Sequence, residues 1–243
     1  FGAAGARVKV ALYTNFTQDH LDYHGSMAAY WACKAELFGW PGLQAAVVNI
    51  DDSHGLQLAQ QLAQREDLAL WTYGVHAQAR LQARQVRHET CGLCFELWER
   101  GTPQADVLPV RTALLGEHNA ANLLAVIGAM RAQGVSLAQA VQACMSLTPV
   151  PGRMACLGGQ RQPLVVVDFA HTPDAVEKVL QALRPMALQR GGQLTIVLGC
   201  GGDRDPVKRP LTAEVAERLA DNVVIASDNP RGEQAMQIIN QML

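Results

Sequence analysis

The chain has 243 residues and a formal net charge of −2 at pH 7, with 49% hydrophobic and 17% charged residues. These fractions exclude a disordered charged chain, and no apolar run reaches the roughly 18 residues that a membrane span needs. Neither half of the chain is basic, so we expect no nucleic-acid partner. The six cysteines show no disulfide-framework spacing, which indicates reduced thiols in a cytoplasmic protein.

In the first half of the chain, apolar runs of strand composition alternate with segments of helical composition. Strands are predicted at 8–13 and 46–49, helices at 28–38 and 54–64, and a β-hairpin over 84–98. Two further helices follow, one around 123–130 and one that begins after Ser136 and runs through 145. Cys91 and Cys94 lie near the hairpin turn, but a metal or redox site there would need partners that the sequence lacks. We therefore expect ordinary thiols.

A Pro/Gly stretch at 149–152 is typical of a hinge, and it divides the chain into predicted domains 1–152 and 153–243. Beyond it, strands at 164–167, 195–198 and 223–226 alternate with helices at 174–184 and 211–220. This alternation predicts an α/β fold with a mainly parallel sheet. Polar or Gly-rich loops beginning at Asp168, Gly199 and Asp228 follow these strands. Loops at carboxyl strand ends form the usual ligand crevice of such sheets.

The segment 13–25 places His20, His24, two carboxylates and an amide directly after the first predicted strand. Two histidines four residues apart can share one helical face, so a metal site is one interpretation. The other is that His24 is a structural histidine with a hydrogen-bonded partner. Lys34 lies in the following helix among apolar neighbours, where a lysine that extends its amine to solvent is the ordinary alternative to a functional one.

Several other segments carry motifs, and their order along the chain is informative. They are 14–38, Gly116-Glu117-His118-Asn119 with Asn122, Pro151-Gly152-Arg153-Met154, Asp168-Phe169-Ala170-His171-Thr172-Pro173-Asp174, 199–210, and Asp228-Asn229-Pro230-Arg231. In this order, the six motifs resemble those of the Mur ligases of peptidoglycan synthesis. The resemblance runs from residue 8 to the end and is weak only around 56–110. Within the family it is strongest to the branch that adds meso-diaminopimelate.

The resemblance implies a three-domain enzyme that uses ATP to activate a substrate carboxylate as an acyl phosphate, which an amine then attacks. For this branch the implied substrates are UDP-N-acetylmuramoyl-L-alanyl-D-glutamate, meso-diaminopimelate and ATP, with Mg²⁺ as the metal. The chain resembles a partial central ATPase domain followed by a partial Rossmann-like carboxyl-terminal domain. The family's Gly-Lys-Thr/Ser phosphate loop is expected upstream of residue 14 and does not occur here, so we expect no independent catalysis.

By the same resemblance, His20 and Lys34 would bind magnesium, with Lys34 converted by carbon dioxide to a carbamate whose oxygens suit this metal. Asn15 matches another position of that site. The implied ATP-binding residues are Asn119 and Asn122 for adenine, Arg153 for the phosphates, Asp168 for the ribose and His171 beside the nucleotide. Asn122 is the better amide candidate for adenine. The ordinary alternatives are N-capping by Asn119 and a turn histidine at 171.

The resemblance also assigns an amino-acid site to the last loops. Its implied residues are Arg204, Asp228, Asn229, Pro230 and Arg231. Two guanidinium groups suit a ligand with an extra carboxylate, whereas surface arginines at the rim of an α/β sheet are the ordinary alternative. Pro206 stands where family members often carry Lys, and we expect no loss of a ligand contact from this difference.

Two other functions stay open at the level of sequence. One is a sister amide ligase, such as a lysine-adding Mur enzyme or folylpolyglutamate synthetase, which the motif Asp228-Asn229-Pro230-Arg231 disfavours. The other is a noncatalytic nucleotide-binding module, which the missing phosphate loop would permit.

Overall fold

The computed structural model describes residues 7–18, 21–89, 92–101, 107–159 and 162–243. The chain divides into two compact units. The first unit comprises Phe1–Gln18 and His24–Thr148, and the second comprises Asp19–Tyr23 and Pro149–Leu243. Each unit combines strands with helices, which confirms the predicted α/β class.

The first unit is built on a six-stranded sheet whose strands follow one another in space in chain order. The strands are β1 (Val10–Tyr13), β2 (Ala45–Asn49), β3 (Ala69–Gly74), β4 (Leu81–Glu89), β5 (Gly92–Glu99) and β6 (Val107–Thr112). β1 to β4 pair in parallel, whereas β4, β5 and β6 pair antiparallel. The carboxyl ends of β1, β2 and β3 therefore lie at the same end of the sheet, where α/β folds usually bind ligands.

Helices flank this sheet, and capping side chains start three of them. They are α2 (Met27–Ala35), a 3-10 turn (Glu36–Gly39), α3 (Ser53–Leu62), α4 (Glu117–Ala132) and α5 (Leu137–Met145). The one-turn α1 (Leu21–His24) precedes α2 in the chain, and most of its residues belong to the second unit. Ser26 caps α2 and Asp52 caps α3, while Ser136 and Gln139 form a reciprocal capping box on α5. The predicted elements are confirmed, with α4 extending further toward its amino end than its apolar spacing indicates.

Apolar cores on both faces of the sheet explain the continuous apolar run of β2. Val47 lies in one core with Leu124 of α4, and Val48 lies in the other with Leu58 of α3. A Cβ atom on Gly128 of α4 would lie 2.7 Å from Cγ1 of Val47. The absence of a side chain at Gly128 thus lets α4 pack closely on β2.

The second unit contains two separate pairs of strands. Its elements are β7 (Ala155–Gly158), β8 (Leu164–Val167), α6 (Pro173–Gln189), β9 (Thr195–Leu198), α7 (Lys208–Leu219), β10 (Asn222–Ile225) and α8 (Ala235–Asn240). β9 and β10 pair in parallel as predicted, but β8 pairs antiparallel with β7 in the part of the chain that the structure describes. The sequence placed 164–167 in the parallel sheet because β7, a short strand with exposed side chains, escaped detection.

Two further sequence expectations concern thiols and membranes. Cys33, Cys94, Cys144, Cys156 and Cys200 are free thiols, and Cys91 lies outside the described residues. Across the described ranges, no helix combines the length and apolar character that a membrane crossing requires.

Candidate functional site

Asp52 holds the loop that follows β1. Its carboxylate accepts hydrogen bonds from the Tyr13 hydroxyl at 2.6 Å and from the Phe16 amide at 3.2 Å, while it also caps α3. Burial, together with the hydrogen bond to Asp52, raises the pKa of Tyr13 far above its ordinary value. The phenol therefore remains a proton donor, and the loop is fixed against the start of α3.

Lys34 extends from α2 to this same loop. Its Nζ donates a hydrogen bond to the Asn15 backbone carbonyl at 3.3 Å and lies 5.0 Å from the centroid of the Tyr30 ring. The structure thus brings Lys34 to Asn15, a more specific placement than a lysine that only extends to solvent.

The donor set at Lys34 limits how a metal could bind there. His20, the other predicted ligand, lies outside the described residues, and no group of three His, Cys, Asp or Glu within the described ranges is arranged for a metal. A protonated lysine has no lone pair to offer. Lys34 therefore fits a magnesium site only as an oxygen-bearing derivative such as a carbamate, and its assignment stays a prediction.

Aromatic side chains pack against the loop that follows β1. Phe16 packs against Tyr30, Trp31 and His54, with ring centroids 5.1, 5.4 and 4.6 Å away. The His24 ring stacks on Tyr30 at 4.8 Å with an interplanar angle of 24°. This stacking favours the structural interpretation of His24. Sequence reasoning missed the cluster because its members come from separate elements.

Asp51 organises the loop after β3, a role that sequence reasoning also missed. Its carboxylate accepts hydrogen bonds from three consecutive backbone amides, those of Val75, His76 and Ala77, at 2.6, 3.1 and 2.6 Å. The His76 Nε2 in turn lies 3.0 Å from Oε1 of Glu117 at the start of α4. These contacts tie the ends of β2 and β3 to the beginning of α4. The available signal was a pair of carboxylates directly after a strand.

Asn119 and Asn122 form a hydrogen-bonded pair at the beginning of α4. Nδ2 of Asn122 donates to Oδ1 of Asn119 at 3.1 Å, and Nδ2 of Asn119 donates to the Leu115 carbonyl at 2.7 Å. The helix begins after Gly116, which has φ +88° and no capping side chain. The alternative that Asn119 caps this helix is therefore wrong, because Asn119 lies inside the first turn. Asn119 instead orients Asn122.

In the second unit, Asp168 closes the loop that follows β8. Its Oδ2 accepts a hydrogen bond from the Met154 amide at 2.9 Å, and its Oδ1 accepts one from the Ala170 amide at 2.8 Å. Each carboxylate oxygen retains a further lone pair for a ligand hydroxyl. The side chain is thus oriented by the backbone and still able to bind.

Phe169 lies among the predicted nucleotide-binding residues, although sequence reasoning did not assign it. Its side chain is 66% exposed. The Arg153 guanidinium carbon lies 5.1 Å from the ring centroid, and Nδ1 of His171 lies 3.0 Å from the Phe169 carbonyl oxygen. Arg153, Asp168 and His171 are therefore close together. An exposed ring beside a guanidinium offers a flat surface and a positive charge to one ligand.

The loops after β9 and β10 pack directly on each other. The Gly202 amide donates to the Asn229 carbonyl at 3.1 Å, and Nη1 of Arg231 donates to the Gly202 carbonyl at 2.8 Å. A Cβ atom on Gly202 would lie 1.8 Å from the Pro230 carbonyl oxygen, so this approach requires glycine. Arg204 and Arg231 are both exposed on these loops. The structure thus joins the two segments that the sequence predicted to bind an amino acid.

An ion pair between a buried arginine and a partly exposed glutamate connects these loops and was not predicted. Arg209 of α7 is 2% exposed and binds both carboxylate oxygens of Glu233, at 2.7 and 2.9 Å. Oε1 of Glu233 also accepts a hydrogen bond from the Asp203 amide at 2.7 Å. The Arg209 hydrogen bonds, followed by this amide, lower the pKa of Glu233 to about 2. Glu233 is therefore ionised at neutral pH.

Two family models match the chain in succession. Residues 2–130 match the Mur ligase middle domain, and residues 152–243 match the Mur ligase, glutamate ligase domain. The class of protein is therefore an α/β chain with polar loops at its strand ends, in which these two kinds of domain follow one another. The chain belongs to the Mur ligase family.

Two curated relatives with the same name are similar to this chain over nearly its whole length. The UDP-N-acetylmuramoyl-L-alanyl-D-glutamate--2,6-diaminopimelate ligase of Acidovorax sp. (strain JS42) is 54% identical over 239 residues, which cover 98% of this chain and 47% of that protein. The Pseudomonas aeruginosa protein of the same name is 48% identical over 231 residues, covering 95% of this chain and 45% of its own. The chain thus spans about half the length of the curated relatives it matches.

Solved structures resemble the chain in fold. A structure of a ligase with the same name has 35% sequence identity and a TM-score of 0.66, covering 99% of this chain and 48% of its own. Mycobacterium tuberculosis folylpolyglutamate synthase complexed with ADP and AMPPCP has a TM-score of 0.72 at 23% identity, covering 96% and 51%. The second likeness concerns the fold alone.

Proposed function

We propose that this chain is the middle and carboxyl-terminal part of an ATP-dependent amide ligase that adds meso-diaminopimelate to UDP-N-acetylmuramoyl-L-alanyl-D-glutamate. The observation that carries the proposal is the pair of packed, arginine-bearing loops at 199–204 and 228–231, in a chain 54% identical to a ligase named for this amino acid. We also propose a cytoplasmic location, where ATP and reduced thiols occur together.

The reaction proceeds through two bond exchanges. The terminal phosphoryl group of ATP is transferred to an oxygen of the substrate carboxylate, which yields an acyl phosphate and ADP. The amine of the amino acid then attacks the acyl carbon, so that the C–N bond forms, the C–O bond to phosphate breaks, and inorganic phosphate and a proton leave. In such transfers the protein contributes mainly by positioning the reactants and stabilising negative charge.

For the nucleotide, the second unit supplies Arg153, Asp168 and His171. Arg153 stabilises the phosphate charge, since a guanidinium donates two parallel hydrogen bonds to phosphate oxygens. Asp168, held by two backbone amides, accepts hydrogen bonds from the ribose hydroxyls. His171, anchored at the Phe169 carbonyl, frames the nucleotide. Asn122 recognises the adenine edge, and its hydrogen bond to Asn119 orients the Asn122 amide.

For the metal, Lys34 and His20 would hold Mg²⁺. The neutral Nζ of Lys34 adds to carbon dioxide and loses a proton, which leaves a carbamate anion with the oxygen ligands that this ion prefers. The ion, when bound, neutralises phosphate charge during the transfer. The Asn15 carbonyl keeps Nζ of Lys34 at the loop after β1 and so fixes where the carbamate forms.

For the amino acid, Arg204 and Arg231 bind the distal carboxylate, and Asp228, Asn229 and Pro230 complete the loop that surrounds it. An amino acid without this carboxylate would leave the two guanidinium groups unpaired, and unpaired polar groups in a binding site disfavour the wrong substrate.

A ligation assay of the full-length enzyme tests the proposal. Enzyme, ATP and UDP-N-acetylmuramoyl-L-alanyl-D-glutamate are incubated with meso-diaminopimelate, lysine or glutamate, and phosphate release and the mass of the nucleotide product are measured. We expect a product enlarged by diaminopimelate and little product with the others. Preferential use of lysine or glutamate would show a sister ligase, and nucleotide binding without any product would show a noncatalytic module.

A further inference from the structure

We propose that Arg209 and Glu233 form a positioning pair that sets the two arginine-bearing loops for recognition of the distal carboxylate. This inference rests on the proposed function. The proposed pair does not contact the amino acid itself and acts by positioning Arg204 and Arg231.

The pair connects both loops to α7. From its buried position, Arg209 binds Glu233 through two hydrogen bonds and reaches the Gly201 carbonyl at 3.4 Å on the first loop. Glu233 follows Arg231 by two residues on the second loop, and it accepts the Asp203 amide from the first. One ion pair thus has hydrogen bonds to the backbone at Gly201 and Asp203, just before Arg204, and its Glu233 lies two residues after Arg231.

Two residues beside the pair have a backbone conformation that is uncommon for residues other than glycine. Asp203 has φ +52° and Arg231 has φ +51°, both in the left-handed region that favours glycine. The Asp203 carboxylate accepts the Gly232 amide at 3.1 Å, and the Glu233 carboxylate accepts the Asp203 amide. These hydrogen bonds hold the backbone at or next to the two residues with positive φ. Loss of the Glu233 charge should therefore let this backbone relax and displace Arg204 and Arg231.

The same unit contains a comparable, more exposed ion pair at the opposite end of β9. Nη1 of Arg184 binds Oδ2 of Asp221, which also accepts the Leu194 amide at 2.7 Å just before β9 begins. Like Glu233, Asp221 therefore combines one arginine with one backbone amide. It lies away from the predicted amino-acid loops and serves as a control for loss of an ion pair as such.

The test compares Glu233→Gln with Asp221→Asn in the full-length ligase. Each substitution preserves the shape of the side chain and removes its charge. We expect Glu233→Gln to raise KM for meso-diaminopimelate about tenfold. The ratio of kcat/KM for diaminopimelate to that for lysine should fall by a similar factor, while KM for ATP stays within twofold of the wild type. Asp221→Asn should leave all three quantities within twofold. Arg209→Lys, which retains the charge but loses the two-pronged geometry, should fall between wild type and Glu233→Gln.

The outcomes separate the inference from the function on which it rests. A wild-type enzyme that does not ligate diaminopimelate overturns the proposed function. A wild-type enzyme that does, together with a Glu233→Gln variant of unchanged KM and preference, overturns the positioning role alone. The role is also wrong if Glu233→Gln fails to fold, or if it lowers kcat equally with both amino acids, because the pair would then support the unit as a whole. Thermal unfolding of each variant distinguishes these cases.

Discussion

Replacing Arg231 by alanine tests the amino-acid loop directly. One Nη1 donor of Arg231 is engaged by the Gly202 carbonyl at 2.8 Å, and a guanidinium has five N–H donors, so donors remain for a carboxylate. A charge-assisted hydrogen bond contributes about 1.5–3 kcal/mol, and each 1.4 kcal/mol corresponds to about tenfold. Loss of one such bond should therefore lower kcat/KM for meso-diaminopimelate roughly 10- to 150-fold.

The assay compares ligation rates with diaminopimelate and with lysine, which lacks the distal carboxylate. Because lysine cannot bond to Arg231 in this way, Arg231→Ala should change its rate only about twofold, the usual size of a surface effect. Arg218→Ala is the control, since Arg218 is an exposed arginine of the same unit that pairs with Glu177 at 3.0 Å. Equal losses for both amino acids, or equal use of both by the wild type, would refute the reasoning.

Three further predictions concern the metal, the nucleotide and stability. Lys34→Ala should abolish ligation, and short carboxylic acids should partly restore it by supplying an oxygen ligand; an unaltered rate would contradict the carbamate. Asp168→Ala should raise KM for ATP several-fold and leave KM for diaminopimelate unchanged in steady-state assays, so a rise confined to diaminopimelate would show that the two sites are confused. Glu99→Gln should lower the free energy of unfolding in urea by about 3 kcal/mol, because Glu99 is 1% exposed and binds Arg131 through both oxygens. The control is Glu89→Gln, at a side chain that is 37% exposed and pairs with Arg111; it should change the free energy of unfolding by less than about 1 kcal/mol, and equal effects would disprove the argument.

Much of the architecture could be predicted from local pattern. The apolar run of β2 indicates a strand buried on both faces, and the Ser136 cap with Gln139 starts α5 where expected. The loops after β8, β9 and β10 were predicted to line one crevice, and the Gly202 amide bond to Asn229 shows that the last two of these loops lie together, as expected for parallel neighbours. These features depend on residue type and short spacing, which a sequence displays directly.

Other features depend on contacts between residues distant in sequence. Arg209 is buried and its partner Glu233 lies 24 residues away, and nothing in a charged residue's identity tells whether folding will bury it. The antiparallel pairing of β8 with β7 was missed because a short strand has little periodicity of its own and is defined by hydrogen bonds to its neighbour. The expectation that Asn119 could cap α4 failed because the helix begins two residues earlier, after Gly116, without a capping side chain. Sequence by itself determined most of the elements, their order and the chemical groups at their ends, since these follow from local periodicity and residue chemistry. Tertiary structure alone decided which groups bind one another, since burial and hydrogen-bond geometry exist only after distant segments have packed.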